Sequence, residues 1–490
     1  MTKKNKIEQK RNADTMNMIS LYFWIFIAIG TLIYYTIPKK TQWLWLLFMS
    51  IFFYASTSIK LSVFILGSIV TSYIYTRFMR NKIGLIFVIF GNAFVLLFLK
   101  YCAFGGGLFA SFIPVDRFTL LVPLGISFYT LQVISYCVDV YHKKVVPEKN
   151  IFKYALFVSF FPQILQGPIP RFEQLHAQFF KVHKFEYEKV TAGLQLMIWG
   201  YFQKMVIADR AAIVVDRLFG EYETYKGFYV LLAGFLYSIQ LYTDFAGCVC
   251  IALGTAQLFG ITLSDNFKHP YFAVSVKDFW SRWHITLSSW LKDYIYIPLG
   301  GNKKGKVRKY GNIMITFLVS GLWHGMGLHY FVWGLLHGVY QVIEDMATPV
   351  TTWFDQKVIS SKNSFSHKLG KQLLTFFCVM IAWIFFRASS VSMAITMLKN
   401  MVTEFNPYIF FNDDLYLLGL DDREFHLLLI SIVVLWFVSM LQNKYELRTL
   451  FAKQTILFRW IILFIALFSI IIGGIYGPAY DANQFIYGAF

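Results

Sequence analysis

The sequence predicts an all-α, polytopic integral membrane protein, and three observations lead to that fold class. Of the 490 residues, 57% are hydrophobic and only 15% are charged, which is too apolar for a soluble multidomain enzyme. The chain contains many apolar stretches near the length that a spanning helix requires, separated by short charged or Pro/Gly-marked connectors. Runs such as 85–98 and 456–472 are apolar on every side, whereas barrel strands would alternate. We therefore expect roughly 10–12 membrane-embedded helices.

The first apolar run begins near residue 19 and continues past Ala28 and Gly30, which favours an uncleaved span over a signal peptide. Runs 43–57 and 61–76 are short for the hydrocarbon core, so some helices are expected to be interfacial or re-entrant. The candidate spans, in chain order, are 19–37, 43–57, 61–76, 84–104, 118–140, 190–209, 227–258, 311–322, 328–345, 372–388, 425–441 and 456–475.

The connections between these runs suggest the domain organisation. Residues 1–18 are expected to form a basic cytoplasmic tail, and 19–490 a single membrane-embedded domain. Its core motif region is 160–345, within which 160–171 carries three prolines and cannot be a regular helix. The longest polar-leaning excursion, about 391–424, is expected to be an extramembrane loop with a short helix.

The formal charge is +18, from 45 basic and 27 acidic residues. In a membrane protein, short clusters of Lys and Arg are typical of cytoplasmic loops, and no nucleic-acid-binding module surrounds any of them, so we expect no nucleic acid partner. The cluster at 303–309 is expected to be cytoplasmic. The five cysteines form neither a zinc pattern nor a disulfide framework. His324, His329 and His337 are spaced so that they scatter around a helix, and no metal site is expected.

Two histidines stand in segments suited to chemistry. Residues 279–294 read as one amphipathic helix, with tryptophans on one face and His284 in a polar stripe on the other. An interfacial helix anchored by tryptophans is the simpler alternative. His324 ends an apolar run between glycines, and an ionisable side chain at that depth usually faces a cavity or a partner. A core histidine bonded to a backbone carbonyl is the alternative there.

Together these segments resemble the membrane-bound O-acyltransferase (MBOAT) superfamily, and within it the branch of the alginate O-acetyltransferase membrane subunit. The most specific block contains FWSRWH at 279–284, WLKDYIYIPLGGN at 290–302 and GLWHG at 321–325. The similarity extends to FPQILQGP at 161–168, YTDFAG at 242–247, NFKHPYF at 266–272, WIFFR at 383–387 and FIY at 485–487.

The resemblance implies a helical bundle around a funnel or tunnel, in which His324 is the catalytic residue and His284 lies near it. An imidazole titrates in the range that a general base needs, and His284 would orient or polarise the acyl carbonyl. Further substrate-binding residues are expected at Gln163, Gln166 and Asp244 in the cavity lining, at Arg282, Trp283 and Asn302 near the oxyanion, at Lys303 and Lys304 near the donor phosphates, and at Trp290 and Trp323.

The same resemblance implies acetyl-CoA or another acyl thioester as the donor substrate, with no tightly bound cofactor. The acceptor would be an exported polysaccharide, reached with an exported or membrane-anchored acetyltransferase partner, in the bacterial cytoplasmic membrane among its lipids. D-alanyl transfer toward teichoic acids from an acyl carrier protein is the alternative within this class, although the segment 297–302 favours the acetyl branch. A polysaccharide or lipid transporter is the non-enzymatic alternative, disfavoured by the paired histidines and the lack of an internal repeat.

Overall fold

A computed structural model of the chain describes residues 16–103, 123–164, 166–357 and 364–476. In these ranges the secondary structure is helical and contains no β-strand, which confirms the predicted all-α membrane fold. In the part of the chain that the structure describes, six helices are long and apolar enough to span a membrane. They are Ser62–Met79, Lys82–Lys100, Phe228–Leu258, Phe365–Arg387, Asp422–Gln442 and Ile456–Gly473.

The N-terminal half, up to the long central helix, contains most of the predicted spans within a few residues of their expected bounds. The helices are α1 Leu21–Thr36, α2 Gln42–Thr57, α3 Ser62–Ile74, α4 Lys82–Ala103, α5 Ile126–Tyr141, α6 Ile151–Ser159, α7 Phe161–Ile164, α8 Phe172–Phe179, α9 Tyr187–Tyr201, α10 Asp209–Gly220 and α11 Phe228–Leu258.

The C-terminal half carries the two histidine segments and the last spans. Its helices are α12 Val276–Arg282, α13 Ile285–Leu291, α14 Gly305–His324, α15 Leu328–Lys357, α16 Phe365–Arg387, α17 Val391–Thr403, α18 Asp422–Gln442, α19 Leu447–Ala452 and α20 Ile456–Gly473. Wider π-helical turns occur at Tyr75–Met79, Phe202–Ala208 and Lys292–Tyr296.

Helix α11 is the centre of the bundle, since 89% of its apolar window is buried inside the protein. It packs along α9, and glycines of the two helices face each other at two levels, Gly193 with Gly254 and Gly200 with Gly247. A Cβ added at any of the four would meet the facing backbone more closely than real Cβ atoms approach. Small residues of this kind let two membrane helices pack backbone against backbone.

The packing of α1, α2, α3 and α6 shows which chain ends share one side of the bundle. Gln42, at the start of α2, donates to the carbonyl of Tyr34 near the end of α1, so these helices are antiparallel. Tyr73 near the end of α3 donates to the carbonyl of Lys149, just before α6. The side that holds these connections also holds the Tyr294 region, because Tyr294 donates to Asp139 (2.6 Å).

The predicted cytoplasmic tail, residues 1–18, stays a prediction, because residues 1–15 lie outside the described ranges. Met18 lies at the opposite end of α1 from the α1–α2 connection. The loop at 303–309 follows the Tyr294 turn and therefore belongs to the side of that connection. The cytoplasmic placement of this loop also stays a prediction.

The segment 391–424, predicted as an extramembrane loop with a short helix, contains more helical structure than its polarity suggests. It forms α17 and two short 3₁₀ turns, Pro407–Phe410 and Asp413–Leu417. The Oδ1 atom of Asn406 accepts a hydrogen bond from the backbone N–H of Phe228 (2.8 Å), so the segment packs on the N-terminal end of α11.

Candidate active site

The expectation of one continuous amphipathic helix over 279–294 was wrong. Helix α12 ends at Arg282, α13 begins at Ile285, and His284 between them has a left-handed backbone (φ 44°). The N–H of Ile285 donates to the backbone carbonyl of Asn266 (3.0 Å) instead of to a carbonyl of the preceding turn. This tertiary bond turns the chain at His284 and directs its side chain into the protein, where only 1% of the residue is exposed.

The tryptophans of the same segment are also buried and do not anchor an interface. Trp290 donates its indole N–H to the carbonyl of Leu131 (2.9 Å), and Trp280 donates to Nδ1 of His337 (3.2 Å). Trp283 stacks on Phe279 with ring centroids 5.5 Å apart. The polar stripe predicted for the opposite face therefore does not include His284.

Asn266 fixes the position of His284, and sequence analysis did not select it although it begins the 266–272 motif. Its side-chain oxygen accepts from Thr286 twice, from the backbone N–H (3.1 Å) and from the hydroxyl (2.9 Å). The same oxygen lies 3.2 Å from Nδ1 of His284, which donates to it in the tautomer with a proton on Nδ1. The 266–272 motif could have indicated a role for Asn266, but its contact with His284 is visible only in the folded chain.

His324 is the last residue of α14 and is buried among aromatic side chains. Its ring lies 5.0 Å from Trp333 of α15 and 5.1 Å from Phe386 of α16, edge to face in both cases. The Trp333 ring in turn packs on Trp383 with centroids 5.7 Å apart. The predicted depth of His324 within the bundle thus agrees with its 2% exposure.

Trp323 joins the two histidines. Its ring centroid lies 4.8 Å from that of His324 and 6.1 Å from that of His284, so the indole stands beside both imidazoles. Its indole N–H donates to the carbonyl of Ser127 on α5 (3.3 Å). The fold therefore brings together the two histidines that sequence analysis paired, with Trp323 as their shared neighbour.

Lys100 of α4 also reaches this site, although sequence analysis did not select it as a site residue. Its Nζ donates to the backbone carbonyls of Trp323 and His324 and lies 5.2 Å from the centroid of the Trp323 ring. The residue has no exposed surface.

Gln163 lies in the short helix α7 and Gln166 in the irregular segment between α7 and α8, and both side chains are buried. Nε2 of Gln163 donates to Gln132 Oε1 (3.2 Å) and to the carbonyl of Phe157 (3.2 Å), which ties this segment to α5 and α6. The segment also reaches the histidine site, because the N–H of Ile169 donates to the Thr286 hydroxyl (3.0 Å).

Asp244, predicted to line the cavity, lies in a buried ionic cluster. Its Oδ1 is 2.6 Å from Nζ of Lys204, which is also 2.7 Å from Oδ1 of Asp209. All three side chains are almost fully buried. The cluster links α11 to the π-helical turn and the start of α10, and this gives Asp244 a clear structural role.

Three of the residues expected beside the oxyanion or the donor lie far from His324. Asn302, Lys303 and Lys304 are exposed on the loop before α14, and His324 is at the other end of that helix. A helix of 20 residues is about 30 Å long, so Asn302 cannot reach the carbonyl that His324 would serve. Arg282 is held by Asp278 (2.8 Å) on the outer side of α12, since the chain turns inward only after it.

Among the described residues, no three His, Cys, Asp or Glu side chains converge as metal ligands. The helices therefore define a multi-pass membrane protein. Its polar site contains two buried imidazole side chains, those of His284 and His324.

Comparison with known proteins assigns the family. Residues 148–391, which include both histidines, match the model of MBOAT, the membrane-bound O-acyltransferase family. The chain belongs to this family and is an O-acyltransferase.

Relatives with assigned names cover most of the chain. A peptidoglycan O-acetyltransferase of Helicobacter pylori is 33% identical over 78% of this chain and 79% of its own length. The probable alginate O-acetylase AlgI of Pseudomonas aeruginosa is 32% identical over 78% and 74%. A teichoic acid D-alanyltransferase of Streptococcus thermophilus is 28% identical over 55% and 69%. The acetyltransferases are thus more similar to this chain than the D-alanyltransferase.

Proposed function

We propose that this protein transfers acetyl groups from acetyl-CoA, at the cytoplasmic face of the bacterial cytoplasmic membrane, toward hydroxyls of an exported polysaccharide or peptidoglycan. In this proposal His324 is the general base. The observation that carries it is the meeting of His324 and His284 at Trp323, inside a chain of the O-acyltransferase family. The acetyl group is proposed because the more similar relatives are O-acetylases.

The chemistry requires one base and one leaving group. His324 takes the proton of the attacking hydroxyl while its oxygen forms a bond to the thioester carbonyl carbon. The tetrahedral intermediate then collapses, the C–S bond breaks, and the thiolate leaves with the electron pair. The proton held by His324 passes to the sulfur, so the products are the ester and free CoA thiol.

His284 is proposed to orient or polarise the acyl carbonyl. With Nδ1 donating to Asn266, its other ring nitrogen, Nε2, is an acceptor in the neutral ring. Polarising the carbonyl therefore requires the imidazolium form, in which Nε2 has taken up a second proton before the acyl group binds. The left-handed backbone supports a dedicated role, because a non-glycine residue in this region is uncommon and costs about 1–3 kcal/mol. Donors aimed at a developing oxyanion are among the strongest contributors to acyl-transfer rates.

The length of α14 separates the basic loop from the proposed catalytic residue. The basic loop at 303–309 and His324 are separated by the whole helix, about 30 Å, which equals the hydrocarbon thickness. A donor attracted by Lys303 and Lys304 would enter at the loop end, and the acceptor would meet His324 toward the other end. An exported or membrane-anchored partner would then complete delivery to the polymer.

The direct test is release of free CoA thiol from acetyl-CoA by the purified protein in detergent with a soluble hydroxyl acceptor. We expect His324→Ala to lower kcat by about 10²–10⁴, the usual contribution of general acid–base catalysis. The matched control is His426→Ala, because His426 is an exposed histidine on α18 whose ring hydrogen-bonds the Asp422 carbonyl of its own helix and packs beside Tyr416, away from the histidine site.

An intact rate in His324→Ala would exclude His324 as the base. If the wild-type protein ignores acetyl-CoA but accepts a D-alanyl thioester on a carrier protein, the donor assignment is wrong and the alternative donor is correct.

A further inference from the structure

Lys100 is a buried cation that approaches the proposed catalytic residue from the backbone side. It lies near the C-terminal end of the membrane-spanning part of α4, and no part of it is exposed. Its Nζ donates to the carbonyls of Trp323 and His324, the last two residues of α14. Two consecutive carbonyls at the end of the histidine helix therefore share one ammonium group.

These carbonyls need a partner from outside their own helix. The last four C=O groups of an α-helix receive no hydrogen bond from an N–H of the same helix, and the C-terminal end of the helix carries a partial negative charge. A Lys beside this end satisfies both requirements. Helix α14 is followed by Gly325 in extended conformation, so the chain leaves the helix directly at His324 and the ammonium group lies at the turning point.

Packing alone does not explain a lysine at this position. Desolvating an ammonium group inside a membrane protein is costly, and an apolar side chain would fill the same volume. Ionisable residues at such positions are therefore functional candidates. Lys100 differs from Lys204 in this respect, because Lys204 is held between two carboxylates.

The second contact of Lys100 is with the ring that stands beside both histidines. The ammonium lies 5.2 Å from the Trp323 centroid, within the range of a cation–π interaction. The indole N–H is held by Ser127, so the Trp323 side chain is fixed from two sides, by α4 and by α5. The orientation of that ring decides the space left between His284 and His324.

We propose that Lys100 is a positioning residue for acyl transfer, holding the Trp323–His324 peptide and the Trp323 ring so that the two imidazoles face one reacting group. This inference rests on the proposed function for its kinetic consequence. Lys100 contacts the backbone of His324 and the ring of Trp323, so it acts through those two residues.

The test uses Lys100→Met, which keeps most of the length and removes the donor, and Lys100→Gln, which restores a neutral amide donor group. Lys82→Met, at the exposed start of the same helix, is the matched control. Variants are assayed in membrane vesicles and normalised to the amount of folded protein, measured by the size-exclusion peak of a tagged sample.

We expect Lys100→Met to lower kcat by about 10–100-fold, since small misplacements of catalytic groups have effects of this size, with KM for acetyl-CoA unchanged within about twofold. Lys100→Gln should recover part of the loss. A residue needed only for folding would reduce the amount of folded protein and leave kcat per folded molecule unchanged, and that result overturns the inference. If Lys100→Met does not accumulate as folded protein, the same comparison is made with Lys100→Gln. A lowered kcat per folded molecule then supports the inference, and an unchanged kcat overturns it.

A second readout is independent of turnover. Mass spectrometry measures the extent of diethylpyrocarbonate modification at His324, with His426 in the same sample as internal reference. We expect Lys100→Met to raise the His324 signal several-fold, because the released peptide lets the ring move. An unchanged signal overturns the inference even if the protein uses another donor, whereas a wild-type protein inactive with acetyl-CoA overturns only the proposed function.

Discussion

The bundle holds two buried polar groups that the sequence marks in the same way, as ionisable residues in apolar runs, yet they differ in their surroundings. The ionic cluster of Lys204, Asp209 and Asp244 satisfies its charges internally and joins α10, α11 and the π-helical turn. The histidine site of His284 and His324 is walled by aromatic rings and held by amide and carbonyl groups. This difference shows that the role of an ionisable residue inside the bundle follows from the groups that contact it and not from its depth.

Breaking the ionic cluster should produce the largest loss of stability. Lys204→Met leaves two carboxylates in the protein interior, and removing one partner of a buried ion pair usually costs about 3–5 kcal/mol. We expect a much lower thermal midpoint in detergent, with kcat per folded molecule close to wild type. Replacing both acids as well, in Lys204→Met with Asp209→Asn and Asp244→Asn, should recover part of the stability; a triple variant no better than the single one contradicts this account.

The histidine site should respond in the opposite way. We expect His284→Ala to lower kcat by about 10²–10³, the effect of losing one donor at an oxyanion, while the thermal midpoint changes by only a few degrees. Thiol release and thermal unfolding are measured on the same preparation. A strong loss of stability with normal kcat would place His284 with the ionic cluster as a structural group.

Asn266→Ala tests the link between backbone conformation and chemistry. The variant removes the acceptor of the His284 ring and of Thr286, and each buried donor left without a partner costs about 1–3 kcal/mol. We therefore expect both a lower thermal midpoint and about tenfold lower kcat. Asn266→Asp keeps an acceptor and should be less damaging to stability, which serves as the comparison.

The smallest effect is expected at the loop before α14. Lys303→Gln with Lys304→Gln should raise KM for acetyl-CoA by about two- to fivefold, since exposed charges act weakly and through screened attraction. The difference from wild type should shrink as the salt concentration rises. A kcat effect without a KM effect would show that these lysines do not act on donor binding.

The sequence was sufficient for the helices because their signal is local. The apolar runs at 227–258 and 456–475 match α11 and α20 within about two residues. The run predicted at 328–345 continues as helix to Lys357, because the pattern detects the end of apolar sequence and not the end of hydrogen bonding. The end of the apolar sequence at 345 and the end of the helix at Lys357 are therefore different positions.

The site was predictable only in part. Both histidines were found from their segments, but their arrangement depends on Asn266, whose partner His284 is 18 residues away, and on Lys100, whose partner His324 is 224 residues away. The periodicity of 279–294 indicated one helix, and the tertiary bond from Ile285 to Asn266 overrides it. Asn302 was placed near the oxyanion by motif proximity, while the length of α14 separates it from His324.

The paired glycines between α9 and α11 have a consequence for how substrates enter. Two helices in backbone contact cannot admit even a methyl group between them, so no substrate can pass between α9 and α11 at these two levels. We expect any opening that admits an acceptor to occur among the elements that surround His324, which meet through large side chains.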